Sequence, residues 1–323
     1  SADMLDLQRD WSLSFAGCGF MGVYYVGVSS CVLERCPRLV RDASAIYGAS
    51  AGALMAAVLS AGVPLEKSCS ALMLMAREAR SHRLGPLHPS FNLLQMLKDS
   101  LLSSLPEDAH LRVSGRLAVS LTRVPDGKNV LVSDFSSRDE LVQALLCSCF
   151  VPLYCGVVPP TYRGVVSPRW KAECPYTKGR SYSQRACVCV CVCVCVRGVE
   201  PPALSPQHYV DGAVSDNLPR CWTENTVTIS AYAGESDLCP PRGNSISFHQ
   251  VRFNNVSIQV NAENMYRVAS TFFPPEPQVS RASSAPAGRW RRRQRRVDSR
   301  VLQAMAEICH SGYVDALRFL QEN

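Results

Sequence analysis

At 323 residues the chain is long enough for one large α/β domain or two smaller ones with a well-buried core. Its 47% hydrophobic content contains no apolar run near the ~18 residues of a membrane span; the best candidate, GALMAAVLSAGVPL from Gly52, reads as a buried helix. The net charge of +7 resides in two segments, 166–207 (net +4) and 279–300 (net +7), which leaves a mildly acidic body of net −4; the arginine cluster of 279–300 reads as a solvated disordered run rather than an RNA or anionic-lipid patch, and no nucleic-acid partner is expected.

The first 160 residues alternate strand and helix. WSLSFAG (Trp11–Gly17) predicts a buried strand, and FMGVYYVGVSSCVLERC (Phe20–Cys36) an apolar helix. ASAIYG (Ala43–Gly48) predicts a second strand, followed by a small-residue helix from Ala51. Helical patterns continue through LEKSCSALMLMAREARS and FNLLQMLKDSLLSSL. GRLAVSLTRV, the turn PDGKN and VLVSDF predict a β-hairpin. SRDELVQALLCSC predicts a helix capped by Ser137, with Glu140 as capping-box partner. HYVDG and TVTISAY (Thr226–Tyr232) predict further strands. The alternation predicts an α/β layered fold with a mostly parallel central sheet. Ten of the sixteen cysteines are scattered without C-x-x-C pairs, as expected of reduced core thiols in a cytoplasmic protein without a visible signal peptide.

Three motifs carry chemistry. Gly48-Ala49-Ser50-Ala51-Gly52 is a G-x-S-x-G between a strand and a helix, the setting a nucleophile elbow requires. The Ser falls at a helix N-terminus, where the dipole and the Ala51 N–H can stabilise negative charge on a reacting oxygen. Gly17, Gly19 and Gly22 form a G-x-G-x-x-G after the first strand. A dinucleotide loop would need an acid at the far end of the second strand, whereas Asp42 precedes that strand, so an oxyanion hole is the better reading. In HYVDGAVSDNLP, Asp211-Gly212 follows a short strand. A serine nucleophile needs a base; residue order permits a Ser50–Asp211–His249 triad as well as a Ser50–Asp211 dyad.

These motifs in this order, together with GPLHPSFNL, SGRLAVSLTRVPDGKNVLVSDF, GESDLCP and FFPPEP, resemble the patatin-like phospholipase family. The resemblance implies a three-layer α/β/α sandwich, with a patatin-like domain over 12–224 and an extension over 225–323. It implies a dyad, with Ser50 as nucleophile, Asp211 as base and Gly17, Cys18 and Gly19 lining the oxyanion hole. It further implies hydrolysis of long-chain acylglycerol esters, triacylglycerol to diacylglycerol and fatty acid, without metal or organic cofactor. The expected partners are a lipid-droplet surface and an α/β-hydrolase-fold co-activator protein, although the droplet-targeting region is expected to be missing here. The alternatives are a catalytically silent lipid-binding or regulatory scaffold and a phospholipase or acyltransferase of the same fold.

ACVCVCVCVCVRG, within 166–207, fits none of this. As a strand it would place five thiols on one face, yet one extended strand cannot wrap a tetrahedral ion. TGT encodes Cys and GTG encodes Val, so a (TG) repeat of the kind common in introns yields this run. Removing 166–207 joins PPTYRGV to HYVDG, and removing 279–300 joins FFPPEPQ to VLQAMAEICHSG, each with family-like spacing. The first is expected to be a retained intron or gene-model error and the second a disordered insert. Sequencing the transcript across Gly164–His208 checks the first: most messages are expected to lack the 42 codons, and an mRNA that always keeps them contradicts it.

Overall fold

The structure is a computed structural model that describes residues 10–82, 84–162, 207–220, 225–242, 249–275 and 290–323, with 290–299 as backbone only. In chain order the elements are β1 (Trp11–Phe15), α1 (Gly22–Arg35), α2 (Pro37–Arg41), β2 (Ala45–Gly48), α3 (Ala51–Ala61), α4 (Leu65–Ser81), α5 (Leu93–Ser104), α6 (Ala109–Val113), β3 (Leu117–Arg123) and β4 (Asn129–Val132). They continue with α7 (Arg138–Ser148), β5 (Thr161–Tyr162), β6 (Gln207–Asp211), β7 (Asn225–Ile229), β8 (Gln250–Phe253), β9 (Val256–Gln259), α8 (Ala262–Phe272) and α9 (Trp290–Glu322). Seven strands form one sheet in the order β5-β6-β3-β2-β1-β7, with β4 paired to β3; β8 and β9 form a separate hairpin. The central β3-β2-β1-β7 block is parallel, and β4, β5 and β6 join antiparallel. The expected α/β sandwich with a mostly parallel central sheet is borne out.

Period-two alternation explains the sheet's two characters. Trp11, Leu13 and Phe15 of β1, Ile46 of β2, and Leu117, Val119 and Leu121 of β3 join residues of α1, α3, α7 and α9 in one large apolar cluster. On the opposite face β1 is small and polar, where Ser12 shares a hydrogen bond with Thr226 at 2.9 Å and Ser14 donates to the Pro219 carbonyl at 2.5 Å, while Ala45 and Tyr47 of β2 and Ala118 of β3 form a smaller apolar cluster. Helix α3, AGALMAAVLSA, is apolar almost all round and buried, and it ends on Gly62 at φ 70°.

Local chemistry sets most element ends. Asn92 caps α5 by accepting from the Gln95 N–H at 3.0 Å, and Ser137 caps α7 by accepting from the Glu140 N–H at 3.1 Å. The capping box differs in one bond. The Glu140 carboxylate accepts from the Ser136 N–H at 2.8 Å rather than from Ser137. The helix expected from Phe20 opens as a 3-10 turn over Gly19–Met21 and becomes α-helical at Gly22. The strand expected over Thr226–Tyr232 ends at Ile229, where the chain makes a single bridge to Leu238.

The C-terminal part is packed into the same body. Strand β7 pairs with the full length of β1, and α9 lies against α1. The two helices approach so closely that a Cβ at Gly27 would overlap the Cys309 carbonyl and one at Gly312 would overlap the Tyr24 carbonyl. The Tyr24 hydroxyl donates to Asp315 at 3.0 Å beside this crossing. Residues 163–206, including the whole Cys-Val run, lie outside the described residues, as do 276–289. The disordered run expected over 279–300 is helical backbone from Trp290 onward, in keeping with the good helix propensity of arginine. Gly27→Val is expected to destabilise the chain by about 3 kcal/mol through overpacking at this crossing, measured by chemical denaturation.

Candidate active site

The register of β3 decides where Ser50 and Asp211 meet. Val119 pairs with Gly48 of β2 and with Val132 of β4; Leu121 pairs with Asp211 of β6 and with Val130 of β4. A strand has two edges, so β2 and β6 share the edge opposite β4 and approach one another end to end. Val119 and Leu121 are two residues apart, which separates Gly48 from Asp211 by roughly 7 Å along that edge. The turn after Gly48 then carries Ser50 beside the Asp211 carboxyl, near enough for the serine hydroxyl to oppose the rise in that carboxyl's pKa.

Ser50 sits at φ 53°, ψ −127°, a conformation costly to a residue with a Cβ, immediately before α3. The motif glycines permit this. A Cβ at Gly48 would lie 2.5 Å from the Ala53 nitrogen, and one at Gly52 would overlap the Phe15 carbonyl at the end of β1. The Ser50 N–H donates to Ser148 Oγ at 2.9 Å, and Ser148 Oγ donates to the Ser120 carbonyl at 2.8 Å. Its carbonyl accepts from Ala53 and Leu54 of α3. The Ala51 N–H stands in the first turn of α3, where backbone donors have no intrahelical acceptor.

The glycine loop lies directly over the serine. A Cβ on Gly17 would lie 3.0 Å from the Ser50 Cβ, and one on Gly22 would lie 3.3 Å from the Ala51 Cβ. Gly19, at φ 53°, abuts the Thr271 carbonyl of α8. The Gly17 N–H is already engaged, donating to Asn217 Oδ1 at 2.7 Å. Gly17 therefore contributes close approach rather than a donor, which leaves the amides of Cys18, Gly19 and Ala51 as the candidates to bind an oxyanion. Cys18 is buried, and burial pushes its thiol up to about 12, so it stays neutral.

Asp211 is 4% exposed. Because it pairs with Leu121, its side chain falls on the apolar face of the sheet, as does that of Tyr209, two residues earlier. Its Oδ1 accepts from the Ala213 N–H at 2.8 Å, its own N–H donates to the Phe150 carbonyl at 2.9 Å, and its carbonyl accepts from Thr122 Oγ1 at 2.7 Å. Gly212 allows this turn to lie against the Ser120 carbonyl. Burial raises the Asp211 pKa from 3.8 to about 6, against the opposing hydrogen bonds from Ser50 and the Ala213 amide. Its neighbours Cys149 and Cys155 are also raised by burial, the latter to about 11, and stay uncharged.

The third triad candidate is His249. His249 is exposed at the start of the β8–β9 hairpin, where its carbonyl accepts from the Val260 N–H. His82 and His88 stack on one another, and His208 Nδ1 contacts the Pro159 carbonyl. Asp42, the residue weighed for a dinucleotide loop, is held on the surface by Arg38 and Arg41. Among the described residues no group of three or more His, Cys, Asp or Glu side chains is placed to hold a metal ion.

An apolar cavity of about 70 Å³ opens beside the elbow. It runs between α3, α4 and α5 and is lined by residues that include Ala51, Leu54, Leu72, Met75, Leu97 and Leu101. Among the described residues no helix is long and apolar enough to cross a membrane.

Among known proteins, the family model described as patatin-like phospholipase matches residues 13–220. The chain belongs to the patatin-like phospholipase family. It is 42% identical over 320 residues to "Patatin-like phospholipase domain-containing protein 2" of Homo sapiens, covering 99% of this chain and 50% of that protein. It is 38% identical over 320 residues to "1-acylglycerol-3-phosphate O-acyltransferase Pnpla3" of Mus musculus, covering 99% and 61%. Against "Patatin-like phospholipase domain-containing protein 5" of Homo sapiens the identity is 33% over 317 residues, covering 98% and 58%. The chain thus spans about half to three-fifths of the length of these patatin-like relatives.

Two positioning residues were not legible in the sequence, Ser148 and Asn217. Ser148 is a helix-end serine, and Asn217 sits inside the DGAVSDNLP stretch with nothing to mark its side chain as the acceptor for Gly17.

Folding raises the Asp211 pKa, so the native chain holds that proton more tightly than the unfolded chain, and stability falls as pH rises from 3.8 through about 6. Asp211→Asn, uncharged throughout, is expected to exceed the parent in stability at pH 7.5 by up to about 3 kcal/mol. The gain is expected to vanish by pH ~4, as denaturation at the two pH values would show.

Proposed function

We propose that the chain is a serine lipase that cleaves long-chain acylglycerol esters through a Ser50–Asp211 dyad. The observation that carries this reading is the placement, by the β3 register, of Ser50, strained at the elbow, beside a buried Asp211 whose pKa is raised to about 6. Asp211 takes the Ser50 proton as Oγ attacks the ester carbonyl, and the amides of Cys18, Gly19 and Ala51 receive the oxyanion. Collapse expels the alcohol, protonated by Asp211, and leaves an acyl group on Ser50. Water, deprotonated by Asp211, attacks the acyl-enzyme and releases the fatty acid. A carboxylate is ordinarily a weak base for a hydroxyl; the raised pKa narrows that gap while keeping Asp211 ionised at neutral pH. The apolar cavity of about 70 Å³ beside Ala51 offers an apolar wall to the first carbons of the acyl chain and is too small to hold a long chain whole.

A second reading has one observation in its favour, the likeness to relatives named as 1-acylglycerol-3-phosphate O-acyltransferases at 38–39% identity. It uses the same acyl-enzyme and differs only in the acceptor, a lysophosphatidate hydroxyl in place of water. Triacylglycerol as substrate, a droplet surface and a co-activator protein belong to the lipase reading.

Ser50→Ala and Asp211→Asn are each expected to lower kcat/KM for a long-chain acylglycerol at least about 10³-fold, and His249→Ala to leave it within about twofold. The parent kcat/KM is expected to fall below pH ~6 as Asp211 protonates. Loss of activity in His249→Ala would revive the triad.

A further inference from the structure

Large apolar side chains are exposed on three segments that touch one another. Helix α8 turns Met265, Val268 and Phe272, spaced i, i+3, i+7, outward, with Met265 70% exposed. The loop after α7 exposes Leu153, Val157 and Val158, the last two at 80% and 76%. Leu84 and Leu87, either side of a turn, are also exposed. The contacts between them are specific. The Tyr154 ring meets Phe272 edge-on at 5.8 Å, its hydroxyl donates to the Phe272 carbonyl at 2.6 Å, and the Phe273 ring approaches Gly85.

This surface begins at the catalytic groups. The Thr271 carbonyl abuts Gly19 of the oxyanion loop, and the Phe150 carbonyl holds the Asp211 N–H. Its two longest stretches are without charge: FVPLYCGVVPP (150–160) and VASTFFPP (268–275) contain no ionisable acid or base of the Asp, Glu, Lys, Arg or His types, and charges enter only at its borders, at Glu263 and Arg267 of α8 and at His82 and His88 beside the turn. Monomeric proteins rarely leave so continuous an apolar surface bare, and an amphipathic helix with its apolar side outward suits a lipid–water interface. A second copy seated here would cover the mouth beside Gly19, whereas a lipid surface would deliver substrate to it.

We infer that the outward face of α8, the 153–158 loop and the Leu84–Leu87 turn form the surface by which the chain docks onto an uncharged lipid–water interface, an inference that deepens the lipase reading and rests on it. Without ionic contacts, attachment is independent of salt and stems from apolar burial alone.

The test is flotation of the 323-residue chain carrying Ser50→Ala with phosphatidylcholine vesicles and with triolein emulsion. Binding is expected in 0.05 and 0.5 M NaCl alike. Val157→Asp with Val158→Asp, and separately Met265→Glu with Val268→Glu, are expected to lower the bound fraction at least roughly tenfold with thermal melting unchanged. Leu111→Asp, an exposed leucine of α6, is expected to leave binding intact. Val157→Trp is expected to shift its emission to the blue on adding vesicles. Patch variants that float like their parent, a Leu111→Asp loss of equal size, unshifted emission, or a dimer in solution that the patch variants dissolve would each overturn the inference. Hydrolysis of a soluble short-chain ester by the unmutated chain is measured separately; its absence would sink the catalytic reading and leave the docking result standing.

Discussion

The structure depends on one edge of β3 receiving two different strands. Strand β2 runs parallel to β3 and stops at Gly48, opposite Val119; β6 arrives antiparallel and stops at Asp211, opposite Leu121. Everything at the site follows from that end-to-end arrangement. Ser50 lies at the turn leaving one strand and Asp211 at the turn leaving the other, so both stand on rigid sheet ends rather than on free loops. The supporting bonds lock the same geometry: Ser148 ties the Ser50 amide to the Ser120 carbonyl of β3, and Thr122 of β3 ties the Asp211 carbonyl.

The same register sets the electrostatics. A residue paired with Leu121 must face the apolar side of the sheet, and in β6 that residue is an aspartate. Its burial among neutral thiols raises its proton affinity, which costs folding stability at neutral pH and makes it a stronger base. Strain at Ser50, with its positive φ, is a second local cost, accommodated by the close approaches at Gly48 and Gly52. Both costs fall where the reacting oxygen would be, and the closely packed α1–α9 pair lies on the side of α1 remote from the elbow turn.

Much of this was legible in the sequence because local rules carry it. Strand periodicity in WSLSF, the small residues around Ser50 and the cap at Ser137 each reflect constraints within a few residues. The triad alternative stayed open for a physical reason: residue order says nothing about whether His249 reaches the site, and the structure places it exposed on a hairpin. Asn217 and Ser148 were invisible because their work is done across about 200 and 98 residues of chain, through hydrogen bonds that no local pattern encodes. The engagement of the Gly17 amide was missed for the same reason: a glycine-rich loop shows where backbone can approach, not which N–H is already bound.

The central claim is that Ser50 is made nucleophilic by Asp211 alone. Its most direct test is covalent labelling by a fluorophosphonate, located by mass spectrometry of the tryptic peptides. A single adduct on Ser50 is expected in the parent and in His249→Ala, with labelling slowed at least roughly 10²-fold in Asp211→Asn. An unlabelled parent, or an Asp211→Asn chain labelled at the parent's rate, would contradict it.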